Sequence, residues 1–449
     1  MSRHFVLLSL LLALALPLSA AAVYELTDDM TLSLSGDLRV RLEGFNSGVI
    51  FPSAGKSDAD ATYLRVRTRL AGKLELPDGI RIQARLANRV HKVSSHFLSH
   101  PNDVKGETWR FPDEVILDQL FIHFDSIAGS DFSLTLGRQD LILGNGMIMC
   151  EGTPFDQGRG LYQDGVVLRY KDEEDTVTGF VFYNQWKDRS VFINDQNRRL
   201  RVGDTLSSGV YWTHNFNKEL NFDLYYIFND VYDDQMKGIR AHARDNNLSL
   251  HTVGGRLFGS LLDEQLDYSL EMARQAGQNS RDKDPIEAYM LDARLRAHAP
   301  KGTLLSPSLG LEYYYASGDD PHTRKFEGWN TLLAEYPRWG DELLPIMLNG
   351  VWSNMHFVRS DINLVYSKDL KGNFSVGNLY ADETDRDARI PLTRSGGGSY
   401  MGTLLSLMLD YRASDMLSFA AKLSKFKPGS YFRDGKSGYW CQLQAMLEF

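Results

Sequence analysis

The sequence predicts an all-β protein: a transmembrane antiparallel β-barrel of about 18 strands, set in the outer membrane. Three observations predict it. The chain opens with a secretory signal. Its residues then alternate apolar and polar in runs of about a dozen. The connections between those runs alternate between tight and expansive.

The signal comes first. Arg3 and His4 precede an apolar run from Phe5 to Leu16, then Pro17, Ser19 and Ala20-Ala21-Ala22. A basic start, a short apolar core and a small-residue exit direct a chain to the secretory route. The apolar run is short for a membrane anchor. Cleavage is expected before Val23, giving a signal peptide at 1–22 and an outer-membrane barrel with long external loops at 23–449. The residues beside the cut include no cysteine to carry a lipid.

The alternation follows. Leu32, Leu34, Gly36, Leu38, Val40 and Leu42 interleave with Ser33, Ser35, Asp37, Arg39, Arg41 and Glu43. Leu64, Val66, Thr68 and Leu70 interleave with Arg65, Arg67 and Arg69. Beyond the turn Pro77-Asp78-Gly79, Ile80, Ile82, Ala84 and Leu86 interleave with Arg81, Gln83, Arg85 and Ala87, and Arg89 follows. Period two is the mark of a strand, and this length suits a membrane span. Further strands are expected at 114–124, 131–142, 164–172, 175–186, 205–216, 218–229, 247–259, 264–275, 286–298, 306–316, 357–368, 372–382, 399–412, 414–425 and 438–449. In the last, Tyr439, Cys441, Leu443, Leu447 and Phe449 share one face. Tyr439 and Phe449 are expected to anchor at the membrane interfaces.

Connections such as Ile127–Ser130, Asp172–Glu174 and Lys368–Lys371 are tight. Those at 44–62, 90–113, 187–204, 229–246, 275–285, 317–356, 383–398 and 426–437 are long. Tight turns belong to the periplasmic end and long loops to the outside. Residues 328–336 are the one stretch expected to form helix, about two turns within the longest loop.

Composition fits. The chain has 449 residues, 49 Lys and Arg against 58 Asp and Glu, and a net charge of -9. The acidic balance argues against binding nucleic acid through phosphates. The 21 Tyr and 23 Phe argue against disorder. Mean hydropathy is -0.31, too polar for a helical membrane bundle.

With Leu and Val toward lipid, the interleaved arginines face inward. Arg39, Arg41, Arg65, Arg67, Arg69, Arg81, Arg85 and Arg89 occupy that phase on the first three strands, and Arg169, Arg294 and Arg296 on later ones. Asp37, Glu43, Asp223, Asp267, Glu271, Asp292 and Glu312 are acids expected in the same lumen. The arginines either pair with these acids or line an anionic path; a positive stripe in a narrow lumen concentrates anions. Tyr63, Tyr211 and Tyr314 are candidate lumenal tyrosines.

No catalytic constellation emerges, and no nucleophile elbow is present. No cofactor and no metal are expected. His91, His96 and His100 are explained by a polar loop, and Asp319-Asp320 and Asp382–Asp385 lack calcium-hand spacing. Cys150 and Cys441 lie in settings that do not favour pairing.

Residues 134–170 carry the most specific signal. A strand ends at Gly137-Arg138-Gln139, Leu143-Gly144 follows, Arg159 stands between glycines, and Asp164-Gly165 opens the next strand. Alternation from Leu134 and Leu136 would aim Arg138 at lipid, so a bulge or a departure of the chain from the wall near Gly137 is expected to avoid that cost. The connection would then fold over or into the pore.

This run resembles the alginate export family of outer-membrane porins, as do Leu38-Arg39-Val40-Arg41 and Leu64-Arg65-Val66-Arg67. The resemblance implies a monomeric barrel with a constricted, electropositive lumen, to which Arg138 and Arg159 would also contribute. It implies passage of a uronate polysaccharide, gating loops, and periplasmic export partners beside outer-membrane lipid. The segment here departs from the family at Phe155-Asp156-Gln157 and Tyr162-Gln163, so the polymer itself stays open. The expected function is passive diffusion or export of an anionic solute or polysaccharide. A general nutrient-uptake porin and an outer-membrane enzyme or adhesin are the rival readings.

Overall fold

The computed structural model describes residues 22–46, 61–93, 109–110, 115–151, 162–188, 203–232, 247–279, 283–331, 333–334, 339, 352–384, 398–432 and 437–449. The expected signal peptide lies outside these, apart from Ala22.

The strands are β1 (Ala22–Thr27), β2 (Met30–Asn46), β3 (Ala61–Leu76), β4 (Ile80–Val93), β5 (Trp109–Arg110), β6 (Ile116–Phe124), β7 (Phe132–Gln139), β8 (Leu141–Leu143), β9 (Met149–Glu151), β10 (Gln163–Lys171) and β11 (Asp175–Asn184). They continue with β12 (Asp204–Asn215), β13 (Asn221–Tyr232), β14 (Leu248–Leu261), β15 (Leu266–Asn279), β16 (Pro285–His298), β17 (Ser308–Ala316), β18 (Met355–Val365), β19 (Leu370–Tyr380), β20 (Tyr400–Arg412), β21 (Leu417–Pro428) and β22 (Gly438–Glu448). Every pairing in the wall is antiparallel between chain neighbours, and β22 closes onto β2 from Asp37↔Glu448 to Asn46↔Tyr439. Eighteen strands form this closed wall, as the alternation predicts. β8 and β9 pair only with each other and stand apart from the wall.

Closure is what the membrane demands, because an open edge would leave backbone N–H and C=O groups unpaired in hydrocarbon. Alternation then divides the side chains. On β13, Tyr225 and Ile227 are buried while Leu224 and Tyr226 are exposed. Val40, Leu42, Val210, Val253, Met272 and Leu443 are likewise exposed, forming the lipid-facing surface. Tyr183, Tyr226, Tyr289, Tyr380 and Tyr439 ring its long-loop end, and Phe132, Phe216, Tyr366, Tyr411 and Phe419 its short-turn end. Such rings sit at the two membrane interfaces.

Strand positions differ from expectation by a few residues, most visibly at β13 and β21, each shifted three residues toward the C-terminus. Local alternation is insensitive to where pairing stops. β1 was not expected. It pairs with β2 below the end of β22, from Ala22↔Leu34 to Thr27↔Met30. At the short-turn end Lys218 and Glu264 meet at 2.6 Å. Their hydrogen bond raises the lysine pKa and lowers the glutamate pKa. Residues 328–331 and 333–334 form no helix; they run into the barrel, where Leu333 bridges to Met149.

Met272 lies near the middle of β15 on the exposed phase. Met272→Arg should cost about 2–4 kcal/mol of barrel stability. Urea titration of the protein refolded in lipid vesicles checks this; an unchanged midpoint would place the residue away from lipid.

Candidate functional site

The first three wall strands carry the densest charge. Register sets Arg39 opposite Arg67, Arg41 opposite Arg65, and Arg67 opposite Arg89. Like charges directly opposite one another repel, so carboxylates intervene. Asp37 accepts from Arg67 Nε at 3.0 Å and also pairs with Arg69. Glu43 pairs with Arg65 at 2.8 Å and Arg41 at 3.4 Å. Arg41 further donates to Gln444 Oε1 at 2.9 Å. Two carboxylates thus serve four guanidiniums. Arg39, Arg41 and Arg67 are buried, whereas the side chains of Arg65 and Arg69 are 17% and 15% exposed. Arg81 pairs with Asp125 at the short-turn end. Arg169 is exposed on the inward phase and donates to Thr178 Oγ1.

Arg85 sits where β6 slips register between its pairings with Arg85 and Leu86. This bulge presents Asp118 and Gln119 together. Arg85 binds Asp118 through two hydrogen bonds of 2.9 and 3.0 Å and reaches Asp140 at 3.3 Å.

The wall across the barrel, β13 to β18, is built differently. Asp223, Arg256, Glu271 and Asp292 follow one another in register across four strands. Arg256 meets Asp223 at 2.6 Å, and Arg294 meets Asp292 at 2.7 Å and Glu312 at 2.9 Å. Asp361 receives Arg296 at 2.9 Å and Arg359 at 2.8 Å. Here the named carboxylates outnumber the guanidiniums. Tyr211 and Tyr225 stack in parallel and donate to Asp223 and Glu271. Tyr314 is buried too and donates to the Trp352 carbonyl. The side chain of Tyr63, and residues His96 and His100, lie outside the described parts.

Against this second wall lies the β8–β9 hairpin. Leu141, Leu143, Ile148 and Met149 are buried with Trp329, Leu333, Trp339, Tyr314 and Phe357. Cys150 N donates to Leu333 O at 3.0 Å, and the Gln275 side chain exchanges hydrogen bonds with the Asn330 backbone. Met147 Sδ accepts from Arg294 at 3.3 Å. At the tip Gly144 packs so tightly that a Cβ there would stand 2.2 Å from the Tyr211 hydroxyl. The connection between β7 and β10 therefore folds into the barrel.

Where that connection leaves the wall, Gly137 pairs with Gly165, Arg138 with Asp164 and Gln139 with Gln163. Gly137 has φ +122, and a Cβ would stand 2.3 Å from Leu120 O. Only glycine tolerates both conditions. No bulge turns Arg138 inward; the chain departs from the wall just beyond it. Its other partner across the sheet is Leu120, an exposed residue of the lipid-facing phase, so Arg138 stays outward at the rim. Its charge is met by Asp164 through bonds of 2.8 and 2.9 Å, by Asp188 at 3.1 Å, by Leu117 O and by the Tyr162 ring 3.7 Å away. Arg138 is a clasp at the root of the hairpin. Arg159 lies outside the described residues.

Alternation alone missed Arg256, Arg359, Asp118, Asp140, Asp188 and Asp361. Arg256 follows Gly254-Gly255, which hides the phase, and Asp118 lies in a bulge that breaks it.

Arg138→Ala should cost about 3 kcal/mol, because it strands buried negative charge. Heat-modifiable gel migration and urea titration measure this, with Arg138→Lys recovering only part; an unaffected Arg138→Ala barrel would remove the clasp.

Comparison with known proteins agrees with this architecture. The alginate export family profile matches residues 30–443. No curated protein sequence matches the chain. Among solved structures, Pseudomonas aeruginosa OccK5 (OpdH) superposes with a TM-score of 0.55 at 12% identity, covering 93% of this chain and 98% of that one. Acinetobacter baumannii OccAB1 gives 0.56 at 11% identity, covering 93% and 97%. Pseudomonas aeruginosa OpdK solved with vanillate gives 0.55 at 12% identity, covering 93% and 98%. At such identities the likeness is one of fold. The closed wall, the inward charge and the family match together make this an outer-membrane channel protein, and the chain belongs to the alginate export family.

Proposed function

We propose that the barrel passes an anionic solute or polysaccharide by passive diffusion along the β2–β4 wall. One observation carries this reading: on that wall arginine faces arginine in register, Arg39 with Arg67, Arg41 with Arg65 and Arg67 with Arg89, and Asp37 and Glu43 are each shared by two guanidiniums, so the strands carry a basic excess by residue count. The hairpin covers the acid-rich wall and crowds the lumen toward the basic one. In a confined lumen such an excess concentrates anions. Arg65, Arg69 and Arg85 are partly exposed and would touch the solute. Arg39, Arg41 and Arg67 would act through their field. The arginines Arg294 and Arg296 sit among carboxylates, and Arg89, Arg81 and Arg169 extend the path toward its two mouths. Two comparisons support an anion: the family is described by alginate export, and the OpdK structure was solved with vanillate, a carboxylate. The channel would work as a monomer, with periplasmic partners supplying a polymer where export is the direction. The carboxylates of β13–β18 support a second reading, a cation-preferring nutrient porin.

Reversal potentials under a salt gradient in planar bilayers decide between them. The wild-type channel should prefer anions, and Arg65→Gln with Arg69→Gln should lower the anion-to-cation permeability ratio at least about twofold. Cation preference in the wild type would favour the second reading, and an unchanged ratio in the double variant would sink the first.

A further inference from the structure

Two arginines on the outward face near the long-loop end, Arg138 and Arg274, are matched by acids. Arg138 has Asp164 and Asp188. Arg274 shares Glu287 with Lys325, at 3.0 and 2.6 Å. β21 breaks this pattern. Lys425 pairs across the sheet with Leu405 and Tyr439, and Lys427 with Thr403. None of these neighbours is acidic. Leu405 and Tyr439 are exposed, which places both lysines on the lipid-facing phase. Lys425 Nζ lies 5.2 Å from the centre of the Tyr439 ring, and Lys427 is exposed. Same-face neighbours on a strand stand about 7 Å apart. Two flexible ammonium groups at that spacing can close on one phosphate.

Beneath them the same face is apolar. Leu423, Leu407 and Leu443 are exposed, toward the middle of the membrane. A cation pair over such a column matches an amphiphile with an anionic head and hydrocarbon tails. The long loops put this end at the outer leaflet. We propose that Lys425 and Lys427 form a docking site for the phosphate of an outer-leaflet glycolipid of the lipid A type, with its acyl chains on the leucine column.

The test is native mass spectrometry of the full chain in detergent micelles, titrated with lipid A, dephosphorylated lipid A, phosphatidylglycerol or inorganic phosphate. Lys425→Gln with Lys427→Gln should weaken lipid A retention roughly 30-fold. Lys425→Arg with Lys427→Arg should retain it, and Lys218→Gln at the short-turn end should leave it unchanged. Heat-modifiable migration confirms that each variant is folded. Equal retention of lipid A by the folded glutamine variant would overturn the site. So would equal binding of dephosphorylated lipid A. Displacement of lipid A by inorganic phosphate, or preference for phosphatidylglycerol, would overturn the glycolipid assignment.

Discussion

The rest of this structure depends on the backbone hydrogen bond in a solvent that offers none. A strand in hydrocarbon has both edges to satisfy, and only closure satisfies them all. The β2–β22 seam supplies the last ladder. Once the wall is closed, each strand has two faces in very different media. Alternation ceases to be a tendency of the sequence and becomes a sorting rule, with hydrocarbon outside and polar groups inside.

Sorting concentrates charge in a small volume, and the way that charge is neutralised differs around the barrel. On β13–β18 each named guanidinium meets a carboxylate on its own or a nearby strand, and buried tyrosines donate to two of the carboxylates. On β2–β4 the arginines face arginines in register, and each carboxylate is shared. Covering that wall would take a dense cluster of like charges out of water, which costs far more than leaving it wet. The hairpin rests on the other, acid-rich wall, with its apolar side chains against tyrosine, tryptophan and phenylalanine. Asp140 at its root meets Arg85 on the other side.

Arg138 shows the limit of the sorting rule. It occupies an outward position where alternation would place an apolar residue, and it stays there. The rim is where a guanidinium can be held, because the chain leaving the wall supplies Tyr162 and Asp188 to cover it. The glycine pair beside it lets strands approach too closely for any side chain. The run Gly137-Arg138-Gln139 with Asp164-Gly165 is thus a structural joint. Its chemistry fixes where the hairpin begins.

The sequence by itself determined the class, the approximate number of strands, which end carries the loops and which face of β2–β4 holds the arginines. These are properties of period two and of loop length, encoded within each segment. Residues 328–331 and 333–334 and Arg138 depart from expectation because their conformations answer to distant partners, Met149 for one and Asp164 with Asp188 for the other. Only the tertiary structure decided which carboxylate each guanidinium meets, where β6 bulges to bring Asp118 to Arg85, and that the β8–β9 hairpin lies inside. The physical reason is that side-chain direction is a local consequence of the backbone, whereas ion pairing and loop docking depend on register between strands. Many residues can separate such partners in the chain, as Arg41 and Gln444 show.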